Sequence, residues 1–303
     1  MTTVGLVGYG RWGTLIFRDL RTLGANVHVA VPSEASRAAA GAAGAASVCA
    51  TAADLPPCDG YVVATPTVLH AEAVERLIPR GRPIFVEKPL SHDVAAARRL
   101  VAAGGGSIFV MDKWRYHPGI VELGRLARSG ALGEIVSLRS FRLGWGNPHR
   151  DVDAIWILLP HDLSIALEVL GHLPEAAFAM AGPTGRADGE LFAVLADGAA
   201  GPRVTLEVSE RHPASRRAIT VAGTLGVAQL ADSYDDRVLV MRADDPAGTR
   251  PREIPVGRDM PLLLELQAFV RHLAGGEAPR SSASDALLIV ERIDTLRRMA
   301  GLA

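Results

Sequence analysis

The chain has 303 residues, a formal net charge of −1, 49% hydrophobic and 21% charged residues. That length holds two domains with cores of their own, and the balanced charge, with no basic tail or stripe, argues against nucleic acid as a partner. Cys49 and Cys58 are too few and too loosely spaced for a disulfide framework or a zinc site, so no metal is expected. Apolar runs fall short of the roughly 18 residues of a membrane span. Met1-Thr2-Thr3 leads straight into an apolar strand with no basic leader, so a cytoplasmic protein is expected.

Val4–Val7 reads as a strand, followed by Gly8-Tyr9-Gly10-Arg11-Trp12-Gly13 and a helix through Leu15, Ile16, Leu20 and Leu23 that stops at Gly24. This is the G-x-G-x-x-G turn in its required strand-to-helix setting. Gly8 makes the tight turn, Gly10 admits a pyrophosphate and Gly13 allows close helix–strand packing. Tyr9, Arg11 and Trp12 are counted with the cofactor-binding residues. The helix N-terminus offers N–H groups and a positive dipole end to the phosphates. The second strand, Asn26–Val31, ends in Pro32-Ser33-Glu34 with Arg37 a turn later. An acid contacting the ribose 2′-hydroxyl would mark NAD, whereas Ser33 and Arg37 suit a 2′-phosphate, with Arg37 binding it as a fork. NADP is expected, with NAD through Glu34 as the alternative.

The Ala/Gly-rich stretch 38–46 fits a helix and turn. Gly60–Ala64 forms a strand with the polar end Thr65-Pro66, and a helix from about Val68 to Pro79 carries His70 on one face. The run Ile84-Phe85-Val86 then ends abruptly in Glu87-Lys88-Pro89. In an open α/β sheet, ligands gather outside the carboxyl ends of the strands, so both charges are delivered to where cofactor and substrate would meet. Lys88 and Lys113 are the two lysines of a chain whose other cations are arginine. Lysine can titrate where guanidinium cannot. Alternatively, Lys88 pairs with a neighbouring acid at a strand end. Ser91 is expected to cap the next helix, and Ser107–Met111 makes a sixth strand. Strands alternating with helices to about residue 115 describe a doubly wound parallel sheet, domain 1–116.

The pattern then changes. A helix over Ile120–Arg128, a strand Glu134–Leu143 and a helix His161–Leu170 precede short strands near 176–181, 191–195, 204–208, 218–221, 226–230 and 238–241. Short turns between them imply a large, mostly antiparallel open sheet, so 117–303 is an α+β domain. Helices over 261–273 and 283–299 close the chain.

The combination of Gly8-x-Gly10-x-x-Gly13, Ala64-Thr65-Pro66 with His70, Glu87-Lys88-Pro89, and His161-Asp162 in a helix resembles the glucose–fructose oxidoreductase/inositol dehydrogenase (Gfo/Idh/MocA) family along essentially the whole chain. The resemblance implies a Rossmann domain holding NAD(P), with Thr65, Pro66, His70 and Glu87 at the cofactor, Glu87 on the nicotinamide ribose. A cis Lys88–Pro89 peptide is also implied. It further implies a C-terminal sheet that joins subunits into a homodimer or homotetramer, and hydride transfer at a C–OH/C=O carbon of a small molecule, a sugar, cyclitol or derivative. Alcohol oxidation also needs a base. Lys88 and His161 are the expected catalytic residues, His161 as acid or base and Lys88 polarising the oxygen.

Relatives commonly carry an Asp four residues before the histidine, where this chain has Ile157, and a glycine where it has Leu159. Asp151, Asp153 or Asp162 are candidates to take over. Substrate contacts are expected from Arg115 and Tyr116, from Trp145 and Asn147 in a loop with His149 and Arg150, and from Trp156 and Asp162. Two alternatives follow from Ile157: a non-catalytic NAD(P)-binding protein, and an imine or enamine reductase on the same scaffold.

Overall fold

Nearly continuous apolar runs require sheets covered on both faces, and the first half of the chain forms one. In the computed structural model, which describes residues 1–146, 151–182 and 189–302, these elements are β1 (Thr3–Val7), α1 (Arg11–Thr22), β2 (Asn26–Ala30), α2 (Glu34–Ala42), β3 (Ser47–Cys49), β4 (Gly60–Val63), α3 (His70–Leu77), β5 (Ile84–Glu87), α4 (Val94–Gly104) and β6 (Ile108–Met111). The strands form one parallel sheet in the order β3-β2-β1-β4-β5-β6. β1 lies between β2 and β4, where the strand order reverses, which places a crevice at its carboxyl end. Asp93 rather than Ser91 caps α4: its carboxylate accepts from Ala95 N–H at 2.8 Å, and Ser91 Oγ accepts from Asp93 N–H at 3.0 Å.

The second half continues with α5 (Pro118–Arg128), β7 (Ile135–Trp145), α6 (Ala154–Leu170), β8 (Ala176–Ala181), β9 (Glu190–Ala196), β10 (Arg203–Ser209), β11 (Arg211–Gly223), β12 (Gly226–Leu230), β13 (Arg237–Arg242) and β14 (Arg252–Pro255). Their sheet runs β14-β13-β12-β11-β7-β10-β9-β8, with only the β7–β10 pair parallel. The fold is a Rossmann-like α/β sheet plus a large, mostly antiparallel one.

α6 begins seven residues before the expected start at His161. The Asp153 carboxylate caps it, accepting from Ile155 N–H at 3.0 Å and Trp156 N–H at 3.3 Å. Pro160 therefore lies inside the helix, where it removes one backbone donor. Burial on nearly every side holds the helix together through that defect.

The closing helices α7 (Pro261–Leu273) and α8 (Ala283–Met299) also change the expected division. By contacts, one unit is Met1–Lys113 with Met260–Val290 and the other is Trp114–Asp259 with Glu291–Ala303. Segment 260–290 thus packs with the Rossmann sheet rather than within a contiguous 117–303 domain. Leu262, Leu266 and Phe269 of α7 enter that core, and the Phe269 ring stacks on Phe85 with centroids 4.9 Å apart. Amphipathic spacing announces that such a helix packs, but not on what.

Candidate active site

Of the three glycines after β1, two are demanded by neighbouring backbone and one faces open space. Gly8 has φ +101°, and a Cβ there would sit 2.4 Å from the Ala64 carbonyl oxygen. Gly13 would bring a Cβ 2.4 Å from the Gly8 carbonyl oxygen. Both are required by the protein's own backbone. A Cβ on Gly10 would meet no described atom within 4 Å, so nothing in the fold itself forbids a side chain there. Gly10 is also the N-cap of α1, whose first turn has no side-chain cap, while Ser33 caps α2. The open space lies where N–H groups point outward, as a pyrophosphate site needs. The Tyr9 ring is buried edge-on against Phe17, centroids 5.6 Å apart. Arg11 is exposed, and Trp12 takes the Lys113 ammonium 4.2 Å from its ring centroid.

At the end of β2, Ser33 Oγ accepts from Ser36 N–H at 3.3 Å. Arg37 Nη1 donates to the carbonyls of Val31 at 3.0 Å and Pro32 at 2.6 Å. The two residues expected at a 2′-phosphate thus shape the turn between β2 and α2. Glu34 is exposed in the first turn of α2.

β4, β5 and β6 end side by side. His70, 1% exposed, faces the carbonyl oxygens of Pro89 through Nδ1 at 2.7 Å and of Thr65 through Nε2 at 3.0 Å. It ties the turn after β4 to the turn after β5. The Lys88–Pro89 peptide is cis. Lys88 is 9% exposed, and its backbone N–H donates to Glu87 Oε2 at 3.2 Å. Burial raises the Glu87 pKa, opposed by the charges of Lys88 and Lys113. Glu87 pairs in register with Met111, so Asp112 and Lys113 follow at the same edge.

In the second unit, His161 is part-buried on α6, with the Trp114 ring edge-on to it, centroids 6.3 Å apart at 63°. Trp114 is itself pinned. His117 stacks on it at 5.1 Å, and the Arg142 guanidinium carbon lies 4.6 Å from its ring centroid. His117 Nδ1 accepts from Gly119 N–H at 3.1 Å, so Nε2 carries the proton given to the Ser233 carbonyl at 2.9 Å. Burial lowers the His117 pKa, which keeps that neutral form.

Asp162, expected at the substrate, is 1% exposed and turned inward. Its carboxylate accepts from Arg142 Nε at 2.8 Å, from Arg142 Nη2 at 3.2 Å and from Ser140 Oγ at 2.5 Å. Arg115 donates through Nε to Glu168 Oε2 at 3.1 Å, and Tyr116 is buried. Trp156 is 6% exposed under the Arg297 guanidinium, which also pairs with Asp153. These residues fix α6 to its surroundings, because buried charges are retained only when paired. Trp145 stands apart at 79% exposure, and Asn147, with His149 and Arg150, lies outside the described residues. Ile157 is buried, so no carboxylate occupies that turn of α6. Of the three substitutes considered, Asp153 and Asp162 are both committed to arginines, and Asp151 lies part-buried just before the helix.

Residues 2–104 match the family model described as an oxidoreductase family with an NAD-binding Rossmann fold. The chain is 30% identical to inositol 2-dehydrogenase 2 of Paenarthrobacter aurescens (strain TC1), covering 94% of this chain and 91% of that protein. It belongs to the Gfo/Idh/MocA family. A second relative, the myo-inositol dehydrogenase Hyg17 of Streptomyces leeuwenhoekii, is 33% identical over 45% of this chain and 44% of its own length. In fold, the chain is similar to an oxidoreductase from Agrobacterium radiobacter solved with NAD+, L-tartaric acid and magnesium, with a TM-score of 0.86 at 18% identity over 99% of this chain and 96% of that one.

As a Gfo/Idh/MocA protein, the chain is a nicotinamide-dependent dehydrogenase or reductase of CH–OH or C=O groups. Two features of the geometry go beyond the motif residues. Glu265 enters the Rossmann core from α7, and Arg142 holds Asp162 from β7. The first had a signal in the sequence: an acid sharing the face of Leu262, Leu266 and Phe269 at helical spacing. The second had none, because a strand arginine reads as solvent-facing until its partner is known. Among the described residues no His, Cys, Asp or Glu group is placed to hold a metal, and no helix is long and apolar enough to cross a membrane.

Proposed function

We propose that the protein transfers hydride between a nicotinamide dinucleotide and a secondary alcohol or ketone of a cyclitol or sugar-like small molecule. The observation that carries this is Lys88, a buried amine delivered by β5 to the strand edge that also holds the open space at Gly10. The cyclitol class is supported by the two inositol dehydrogenases among the relatives. The bound nicotinamide supplies the hydride acceptor or donor. Lys88 directs its amine to the substrate oxygen, and His161 takes the hydroxyl proton as the C–H hydride leaves, or returns it in reduction. Glu87 orients the nicotinamide ribose, and the N-terminus of α1 holds the pyrophosphate.

NADP is the proposed dinucleotide. No acid stands where β2 ends, and Arg37, anchored by the Val31 and Pro32 carbonyls, has Nε and Nη2 left for a phosphate. Exposed Phe178, Met180 and Phe192 on β8 and β9 support a homodimer or homotetramer built on that sheet.

The test is a fluorescence titration with NADPH and NADH side by side, repeated on Gly10→Ala. NADPH is expected to bind more tightly. Gly10→Ala is expected to keep its circular dichroism and Tm but to weaken both cofactors about tenfold or more, a 1.4 kcal/mol loss. Equal or tighter NADH binding removes Ser33 and Arg37 from the assignment and turns it to Glu34. Failure to bind either cofactor overturns the proposed reaction. A second reading, reduction of an imine, is favoured by the buried Ile157 and by arginine partners for Asp153 and Asp162. It predicts turnover of ketones only when an amine is added.

A further inference from the structure

Arg217 is a guanidinium that the fold leaves without an acid. It stands part-buried on β11, in register with Arg142 of β7. Residues directly opposite share one face of a sheet, with Cβ atoms about 4.5–5.5 Å apart, and like charges so placed are destabilising. The face is the one turned to α6, because Ser140 and Arg142 both meet Asp162 there. Asp162 neutralises Arg142. Arg217 has no ion pair among the described residues, and its Nε is buried without a hydrogen-bond partner. Other buried or part-buried arginines of the same unit are matched: Arg115 with Glu168, Arg292 with Glu175 and Arg297 with Asp153. A buried donor left unpaired destabilises the fold, and its retention calls for a partner from outside the chain.

The backbone beside Arg217 is opened rather than filled. Between the pairs Arg211–Trp145 and Arg216–Leu143, residues 212–215 of β11 stand against the single residue Gly144 of β7. Such a bulge interrupts the ladder and re-aims the side chains next to it. By the two-residue alternation of a strand, Gly144 shares the face of Arg142. Its backbone is outside the left-handed region, and a Cβ there would meet no described atom within 4 Å. The same face leads to the proposed catalytic histidine. The Arg142 guanidinium carbon lies 4.6 Å from the Trp114 ring centroid, and Trp114 meets His161 edge-on at 6.3 Å.

We propose that Arg217 is a substrate-binding residue that holds an oxyanion, so that the substrate is an acidic sugar or cyclitol, bearing a carboxylate or a phosphate ester, rather than a neutral one. A guanidinium presents a planar fork that matches the paired oxygens of either group. This rests on the dehydrogenase reading, with His161 at the reacting hydroxyl.

The test compares glucuronate and glucose 6-phosphate with neutral glucose, as ligands in thermal-shift measurements with and without NADP+ and as substrates in steady-state kinetics. Wild type is expected to be stabilised by at least one of the two anions and not by glucose. Its kcat/KM for that anion should be about tenfold or more above that for glucose. The preferred anion identifies the source of the oxyanion. Arg217→Met keeps the aliphatic stem and removes the fork. It should lose the anion-dependent rise in Tm and raise KM for the anion about 10- to 100-fold, with kcat and the response to glucose within about threefold. Its own Tm should equal or exceed that of wild type, since one of two opposed like charges has gone. Arg217→Lys, which retains the charge without the fork, should lie between the two. Equal response of wild type to glucose and to both anions overturns the proposal. An Arg217→Met protein of lower Tm that weakens neutral and anionic sugars alike marks a structural residue and also overturns it. Failure of the dehydrogenase reading would instead appear as wild type that binds no dinucleotide and turns over none of the three sugars while an anion still raises its Tm.

Discussion

Lys88→Met is expected to lower kcat/KM about 10²–10⁴-fold while NADPH affinity stays within about threefold, the size of loss that follows removal of a positioned proton-transfer group. Methionine is chosen for shape. Lys88 is 9% exposed at the end of β5, so an alanine would leave a void beside Glu87 and confuse packing with chemistry. Lys88→Arg is expected to be nearly as inactive, which makes the pair of variants informative. Arginine keeps the charge but cannot release a proton at any working pH, and its planar fork does not fit the place of a single amine. Activity retained in Lys88→Arg would assign the residue an electrostatic role alone. Activity retained in Lys88→Met would remove it from the reaction. Steady-state kinetics on a cyclitol or ketose that wild type turns over, with cofactor titration alongside, separates these outcomes.

The division of labour between the two cations supports this reading. Arginines in this chain make structural pairs: Arg142 with Asp162, Arg115 with Glu168, Arg297 with Asp153, Arg292 with Glu175 and Arg18 with Asp19. Guanidinium suits that work because it is permanently charged and forks onto carboxylates. Both lysines, by contrast, gather at the ends of β5 and β6 around Glu87. A composition that uses arginine almost everywhere thus marks, by exception, the edge where a removable proton is useful.

The Rossmann half was legible because its signals are local. Gly8, Gly10 and Gly13 stand in a fixed relation to one strand and one helix, and the geometry separates them: Gly8 and Gly13 are crowded by backbone while Gly10 faces open space. The apolar run ending in Glu87-Lys88-Pro89 likewise declared its strand. Legibility failed where a residue's role depends on a partner distant in sequence. Asp162 and Trp156 read as substrate contacts because polar and aromatic groups near a candidate catalytic histidine usually are. Their partners, Arg142 and Arg297, lie 20 and 141 positions away, and no periodicity announces them. The place of the Tyr9 ring was illegible for a related reason, since a motif fixes the backbone at its variable positions while Phe17 decides where the ring goes. The early start of α6 shows a third kind of failure. The expected start at His161 lies just past Pro160, but the Asp153 cap and burial along the helix outweigh one missing hydrogen bond.

The Arg142–Asp162 pair yields the largest stability effect expected of any single change in the second unit. Asp162→Ala leaves the Arg142 guanidinium buried at 4% exposure with its bidentate partner gone, and such a loss costs about 3–5 kcal/mol. Urea denaturation is expected to show the midpoint falling with little change in slope. The pair itself is not worth that sum, because desolvation of two charges consumes most of their attraction. Replacing both partners by apolar residues of similar volume, Arg142→Met with Asp162→Leu, should therefore recover most of the lost stability. A double variant as unstable as the single one would show that geometry, not an orphaned charge, is at fault. Activity should not recover in parallel. Arg142 also holds the face of Trp114, and Trp114 meets His161 edge-on, so the double variant restores the fold while taking from the ring beside the histidine one of its two supports, the other being His117. A kcat that stays low when stability returns would place the buried pair in the support of His161. Full recovery of both would make it a stabilising contact and nothing more.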